Sequence, residues 1–159
     1  MAETTGIAYV HHTRNFWTGC TKVGPGCDGC YAEAFQRWVR GKDPVTGEAK
    51  NWGPGRPRIP HLAGAAKDVQ KWNRKALAAG ERRRVFINTQ SDTFDNEVPQ
   101  EWRDFLWAVL AECAQLDFLL VTKRIGNVPK MVPPSWLVDG FPANVRLLIT
   151  VVNTEEARR

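Results

Sequence analysis

The stretch RVFINTQSDTFDNEVPQEWRDFLWAVLAECAQLDFLLVTKR, residues 84–124, decides the fold. It opens with an apolar strand over 84–89, enters a helix that starts at Pro99, and returns to an apolar strand over 118–122. The helix is predicted because apolar residues recur every three or four positions along it. These residues are Trp102, Phe105, Leu106, Val109, Leu110 and Cys113. Strands that are apolar throughout and alternate with helices are typical of parallel sheets.

Two further strands extend this pattern on either side. Residues 14–19 predict a short first strand, and residues 145–152 predict a fourth strand that ends at Asn153. The expected fold class is therefore α/β, with a parallel (βα) sheet that forms a partial barrel of about four strands. We expect one domain over residues 1–159, because the chain has the size of a single compact unit.

Two more helices are expected between the first strand and the second. One runs from a predicted N-cap at Asp28 to Gly41, and the other covers 64–79 and ends at Gly80. The segment at about 41–63 is rich in Pro and Gly and predicts a long excursion loop. The tryptophans on predicted helices are expected in or near the core: Trp38, Trp72, Trp102 and Trp107.

Composition narrows the class of protein. No stretch approaches the roughly 20 apolar residues that span a bilayer, so we expect no membrane partner. The N-terminus lacks the basic and apolar regions of a secretory signal, which predicts a cytoplasmic protein. The net charge is +5, which permits a polyanionic partner such as nucleic acid without requiring one.

Three of the four cysteines, Cys20, Cys27 and Cys30, fall within eleven residues. An odd cluster in a Gly- and Pro-rich loop is a poor disulfide framework and favours a metal centre. Three thiolates can hold an iron–sulfur cluster and leave one iron open, whereas zinc would need a fourth ligand. The histidines that could supply this ligand are His11, His12 and His61. Cys113 lies on the apolar stripe of its helix and is expected to be core.

Polar residues follow the predicted strands where each strand ends. Asn88, Ser91 and Asp92 follow the second strand, and Lys123 and Arg124 follow the third. Chemistry in βα folds collects at the carboxyl ends of strands, so these residues are candidates for binding a small cofactor or an anionic group. The alternatives are a helix cap for Ser91 and Asp92 and ordinary solvated charge for the two cations.

The excursion loop adds Trp52, Arg56 and Arg58, a basic and aromatic combination that suits a substrate. The basic run at 82–84 precedes a strand, at the opposite end from the predicted site, and is expected to be a solvated edge.

Three segments carry a resemblance to a known family: WTGCTKVGPGCDGCYAE at 17–33, VFINTQSD at 85–92 and LVTKR at 120–124. They resemble a phage- and prophage-associated three-cysteine family whose members are similar to radical S-adenosylmethionine (SAM) proteins. The match runs from about residue 15 to 153. The spacing C-x6-C-x2-C departs from the usual C-x3-C-x2-C of radical SAM proteins, and four strands predict a shortened barrel.

The resemblance implies that Cys20, Cys27 and Cys30 bind a 4Fe-4S cluster and that SAM chelates the fourth iron through its amine and carboxylate. One-electron reduction would then cleave SAM to a 5′-deoxyadenosyl radical that abstracts a substrate hydrogen. The candidate cofactor-binding residues are Tyr31, Asn88, Ser91, Asp92, Lys123, Arg124 and Asn153.

Two other functions remain open at this point. A non-catalytic, phage-derived protein on a half-barrel scaffold could bind or inhibit a host nucleoprotein or nucleic acid. A zinc-stabilised nucleic-acid module is the other, and its binding would depend steeply on salt. Whatever the function, the open edge of the predicted sheet allows self-association.

Overall fold

A four-stranded parallel sheet and a small antiparallel pair organise the computed structural model, which describes residues 3–158 except for the side chains of residues 156 and 157. The strands are β1 (His12–Arg14), β2 (Trp17–Thr18), β3 (Ile59–Pro60), β4 (Arg83–Ile87), β5 (Leu116–Thr122) and β6 (Val145–Ile149). The helices are α1 (Tyr31–Arg40), α2 (Leu62–Ala79), α3 (Gln100–Glu112), α4 (Val128–Met131), α5 (Pro134–Val138) and α6 (Thr154–Ala157).

The parallel sheet has the order β1-β4-β5-β6, so each strand pairs with the next parallel strand along the chain. Val85 of β4 lies opposite His12 on one side and Phe118 on the other. β2 and β3 form the separate antiparallel pair, in which Trp17 lies opposite Pro60. The prediction of an α/β class with a four-stranded parallel sheet is confirmed.

The two faces of the parallel sheet have different partners. On one face, side chains such as Val85, Phe118 and Leu120 pack with α2 and α3 in the main hydrophobic core. The opposite face carries Phe86 and Leu119, which pack with the N-terminal segment in a smaller cluster. Side chains alternate along a strand, so the residues of this second face point away from the main core. They can therefore line a cavity.

The first and fourth strands differ from the prediction. The segment 14–19 is not one strand. At Asn15 and Phe16 the chain leaves the parallel sheet and crosses to the antiparallel pair. Their crossing is fixed by the end of β4, where the Phe16 amide donates to Asn88 Oδ1 at 2.9 Å. The fourth strand ends at Ile149, and residues 150–152 lie beyond it.

Helices α2 and α3 confirm the predicted periodicity, and Gly80 ends α2 in the left-handed conformation. Trp72 and Trp107 are buried and Trp102 packs against the core, as predicted. Residues 41–63 are mostly irregular, although β3 and the start of α2 lie within this range. Across residues 3–158 no helix has both the length and the apolar character needed to cross a membrane.

The prediction for α1 was wrong in two respects. The helix begins at Tyr31 with Cys30 as its N-cap, whereas Asp28 ends a short 3-10 turn. Its buried side chains are small or polar, and Trp38 is 81% exposed rather than in the core. The apolar side of α1 therefore faces away from the protein.

Buried His12 should make stability depend on pH. Its ring stacks on Trp72 at 4.4 Å, and Nδ1 contacts the carbonyl oxygen of Glu3. Burial lowers the pKa of His12, and the charges of Arg83 and His11 lower it further. In the unfolded chain the imidazole takes up a proton near its ordinary pKa of 6.5, whereas the folded chain resists protonation.

We therefore expect stability to be complete above about pH 6.5 and to fall as the pH drops below it, by up to about 1.4 kcal/mol per pH unit. Urea denaturation of His12→Phe across this range should show a smaller pH dependence, because phenylalanine keeps the stack without the titration. The parent protein is the reference for this slope. An equal pH dependence in His12→Phe and in the parent protein would contradict this assignment.

Candidate functional site

A cavity of about 600 Å³ opens at the carboxyl end of the parallel sheet. Its floor is the second face of the sheet, represented by Thr13, Phe86 and Val121 from three strands. Cys20, from the loop that follows β2, contributes to its rim. The predicted location of the chemistry, beyond the ends of the strands, is thus where the structure has its cavity.

The cavity brings together the three clustered cysteines and most of the candidate cofactor-binding residues. Cys20, Cys27 and Cys30 line it together. So do six of the seven candidate cofactor-binding residues: Tyr31, Asn88, Ser91, Asp92, Lys123 and Arg124. Asn153, the seventh, is exposed beyond β6 and is not part of the lining.

Backbone contacts fix the start of the cysteine loop. Gly19 and Cys20 form bridges to Ser91 and Trp52, so the chain passes between the end of β4 and the excursion loop. Gly19 adopts φ +108°, and a Cβ there would lie 2.6 Å from the Asn51 carbonyl oxygen. Only glycine fits this position, because the backbone is unusual and also closely approached.

The rest of the loop is held by short turns. Pro25–Cys27 forms a 3-10 turn, and the Val23 amide donates to Cys27 Sγ at 3.5 Å. Cys30 is the N-cap of α1, so the helix fixes the direction in which the chain leaves the site. All three cysteines are free thiols.

Arg124 links the end of β5 to the cysteine loop. Its Nη1 donates to Cys20 Sγ at 3.3 Å, and its Nη2 donates to the Thr21 carbonyl oxygen at 2.5 Å. Asp92 Oδ2 pairs with the same guanidinium at 3.2 Å. Arg124 lines the cavity, but its contacts are with the protein, which makes it a positioning residue. Its predicted contact with a cofactor stays a prediction.

The charges around Arg124 also affect ionisation. Burial raises the pKa of Cys20 to about 11, and the favourable charge of Arg124 only partly offsets this. For Arg124, burial alone would lower the pKa, but Cys20, Asp92 and Asp95 outweigh it and raise the pKa. Cys20 is therefore a neutral thiol at pH 7 without a metal, and a metal would displace its proton.

Beneath the loop lies a buried ion pair that the sequence did not reveal. Arg58 Nε lies 2.8 Å from Asp95 Oδ2, with the two side chains 1% and 2% exposed. Arg58 Nη2 also donates to Thr21 Oγ1 at 2.6 Å, and Asp95 lies 3.7 Å from Arg124. Both arginines thus converge on Thr21, next to the first cysteine.

The two arginines of the excursion loop that were candidates for substrate binding are paired within the protein. Arg58 pairs with Asp95, and Arg56 pairs with Asp43 at 2.7 Å. Trp52 is buried beside Cys20 in a small cluster with Ala32 and Ala49, and it also lines the cavity. Substrate contact at Trp52 therefore stays a prediction.

The polar side chains after β4 are also used within the protein. Asn88 accepts from the Phe16 amide and donates to Thr93 Oγ1 at 3.1 Å. Ser91 Oγ donates to the Trp17 carbonyl oxygen at 3.0 Å. These residues hold the crossing chain in place, so their side chains shape the cavity wall.

Asp92 ties the end of β4 to the end of β5. It accepts from Thr122 Oγ1 at 2.8 Å and from the Lys123 amide at 3.1 Å. No helix starts here, so the alternative of a helix cap for Ser91 and Asp92 is wrong. Asp92 instead satisfies the backbone where two parallel strands end.

Two side chains in the lining are available to a ligand. Lys123 lines the cavity and has no ion-pair partner among the side chains that the structure describes. Tyr31, 63% exposed, stands at the rim, where its hydroxyl donates to the Thr89 carbonyl oxygen at 2.8 Å. Lys123 can therefore pair with a carboxylate or phosphate, and Tyr31 can offer a ring face.

The described residues form no metal centre, so the iron–sulfur cluster and the zinc ion both stay predictions. In the described part of the chain, no three His, Cys, Asp or Glu side chains are grouped closely enough to hold a single ion. Each cysteine of a cluster binds a different iron, so its ligands need not converge on one point. His11, His12 and His61 all lie outside the cavity lining, which leaves zinc without the expected imidazole.

Comparison with protein-family models identifies the family of this chain. The family model described as "Protein of unknown function (DUF5131)" matches residues 4–159. The chain belongs to the DUF5131 family. The cysteine loop and the carboxyl ends of β4 and β5 fall within the part that matches the DUF5131 model. No curated protein and no solved structure gives a significant match.

Proposed function

We propose that this protein is a radical SAM-type iron–sulfur enzyme that acts on a substrate still to be identified. The observation that carries the proposal is the shared cavity: three free thiols from one loop open onto the space bounded by the polar ends of β4 and β5. This arrangement offers three soft ligands on one side and an unpaired cation on the other.

The scaffold supports the same proposal. Helices α2 and α3 cover one face of the parallel sheet, and the cavity occupies the opposite face. Parallel strands in sequential order, with helices on one face and a cavity on the other, would suit a segment of a (βα) barrel. We propose that the four strands form such a partial barrel of the radical SAM type.

Each residue at the site has a definite task in this proposal. Cys20, Cys27 and Cys30 would hold the cluster, which with bound SAM supplies reductive cleavage of the SAM carbon–sulfur bond. Arg124 orients Cys20 and donates to its sulfur, an interaction that tunes a metal ligand. Lys123 would pair with the carboxylate of a ligand in the cavity.

Reconstitution tests the proposal. Protein incubated without oxygen with ferrous iron and sulfide should turn brown and bind about four irons per chain. Dithionite and SAM should then yield 5′-deoxyadenosine. Cys20→Ala, Cys27→Ala and Cys30→Ala should each lose most of the iron. The loop supplies three thiol ligands to the cluster, and each variant removes one of them.

Cys113→Ala is the matched control, since this thiol is buried between α3 and β5 and lies outside the cavity. It should keep its iron. Colourless protein that carries one zinc per chain, or equal loss of iron in all four variants, would overturn the proposal.

A further inference from the structure

The outer face of α1 consists of Tyr31, Phe35, Trp38 and Val39, and all four side chains are exposed. The three aromatic residues stand at i, i+4 and i+7, so they lie in a row along one side of the helix. Phe35 and Trp38 contact each other with ring centroids 5.9 Å apart. The inner face, which includes Ala32 and Gln36, packs on the protein.

Cations surround this row of rings. Arg37 and Arg40 lie in the last turn of α1, and the exposed Lys42 and Lys50 follow in the loop beyond it. None of these four forms an ion pair with the residues that the structure describes. Two of the neighbouring acids are already neutralised, because Glu33 pairs with Lys22 and Asp43 pairs with Arg56.

We propose that the outer face of α1 binds single-stranded nucleic acid. Exposed aromatic rings accept the faces of unstacked bases, and unpaired arginines and lysines bind the phosphates between them. Uncompensated positive charge favours a polyanion over a second copy of this chain, because two such faces would repel each other. The chain's net charge of +5 acts in the same direction.

The row of rings also leads to the cavity. Tyr31 belongs both to the outer face of α1 and to the cavity rim, one helical turn from Phe35. A strand that stacks on Trp38 and Phe35 would therefore bring its next nucleotide to the cavity. Nucleic acid as the substrate rests on the proposed function, whereas binding to α1 does not.

Fluorescence anisotropy with a labelled oligothymidylate of about 20 nucleotides tests binding to the full, metal-free chain. Trp38→Ala should weaken binding about tenfold, because alanine removes a stacking platform. Arg40→Gln should weaken binding and reduce the slope of log K against log salt concentration by about one.

The matched controls lie outside this face. Val138→Ala removes a side chain on α5 that is 85% exposed, and Arg74→Gln removes an exposed cation on α2. Both should bind as the parent protein does. Cys20→Ala should also bind normally, so that failure of the cluster and failure of the nucleic-acid site remain distinguishable.

Four results would overturn the inference. The first is the absence of binding at low salt, and the second is binding that Trp38→Ala and Arg40→Gln leave unchanged. The third is dimerisation that Trp38→Ala abolishes, which would make this face an interface between copies. The last is Trp38-dependent binding to phosphatidylserine vesicles that the oligonucleotide does not compete with, which would make it a membrane surface.

Discussion

Asp95→Ala is expected to lower the free energy of unfolding by about 3–5 kcal/mol. The substitution leaves the Arg58 guanidinium buried without the carboxylate that lies 2.8 Å away. It also removes a negative charge 3.7 Å from Arg124, whose other carboxylate partner is Asp92. Glu97 Oε2 remains 3.4 Å from Arg58 Nη2, but its side chain is 32% exposed and it compensates only part of the buried charge, so urea denaturation should still show a large shift in midpoint.

The effect should reach the cysteine loop as well. Arg58 and Arg124 both donate to Thr21, so a displaced Arg58 loosens the residue next to Cys20. We expect reconstituted Asp95→Ala to bind less iron than the parent protein even at a temperature where it remains folded. Iron content per folded chain, measured after gel filtration, is the readout.

Asp117→Ala provides the matched control. Asp117 pairs with Arg82 at 2.6 Å, but both side chains are partly exposed, with 49% of Arg82 accessible. Exposed pairs contribute between about zero and 1 kcal/mol, so this variant should be nearly as stable as the parent. Similar losses for Asp95→Ala and Asp117→Ala would show that burial does not determine the strength of this pair.

The fold was largely predictable because its signals are local. The apolar spacing of α3 and the continuous apolar run of β5 each lie within one short segment. Parallel strands in sequential order then bring their carboxyl ends to one edge, which is why the cysteine loop, Asp92 and Lys123 share a cavity. The parallel topology therefore brings residues from separate segments of the chain into one site.

The predictions failed where distant contacts override local pattern. Arg58 lies in a Pro- and Gly-rich loop, and nothing near it in the sequence indicates a partner 37 residues away. The interruption at Asn15 depends on Asn88, 72 residues beyond Phe16. In α1, Trp38 was expected in or near the core, but the helix packs through Ala32 and Gln36 instead. Periodicity identifies an apolar side without showing what covers it.

Gly19→Ala is expected to destabilise the protein by about 3 kcal/mol and to reduce iron binding. At φ +108° an L-residue is strained by roughly 1–3 kcal/mol. The new methyl group would also lie 2.6 Å from the Asn51 carbonyl oxygen, which is far inside van der Waals contact. Since the obstacle is backbone, relief requires movement of the excursion loop or of Cys20 itself.

Gly126→Ala separates this local effect from a general cost of replacing glycine. A Cβ at Gly126 meets nothing within 4 Å, and φ there is not in the left-handed range, so stability should change by less than about 1 kcal/mol and iron content should stay the same. If Gly19→Ala binds iron as well as Gly126→Ala does, then Cys20 tolerates displacement. The position of the first thiol would in that case be set by the metal rather than by the loop.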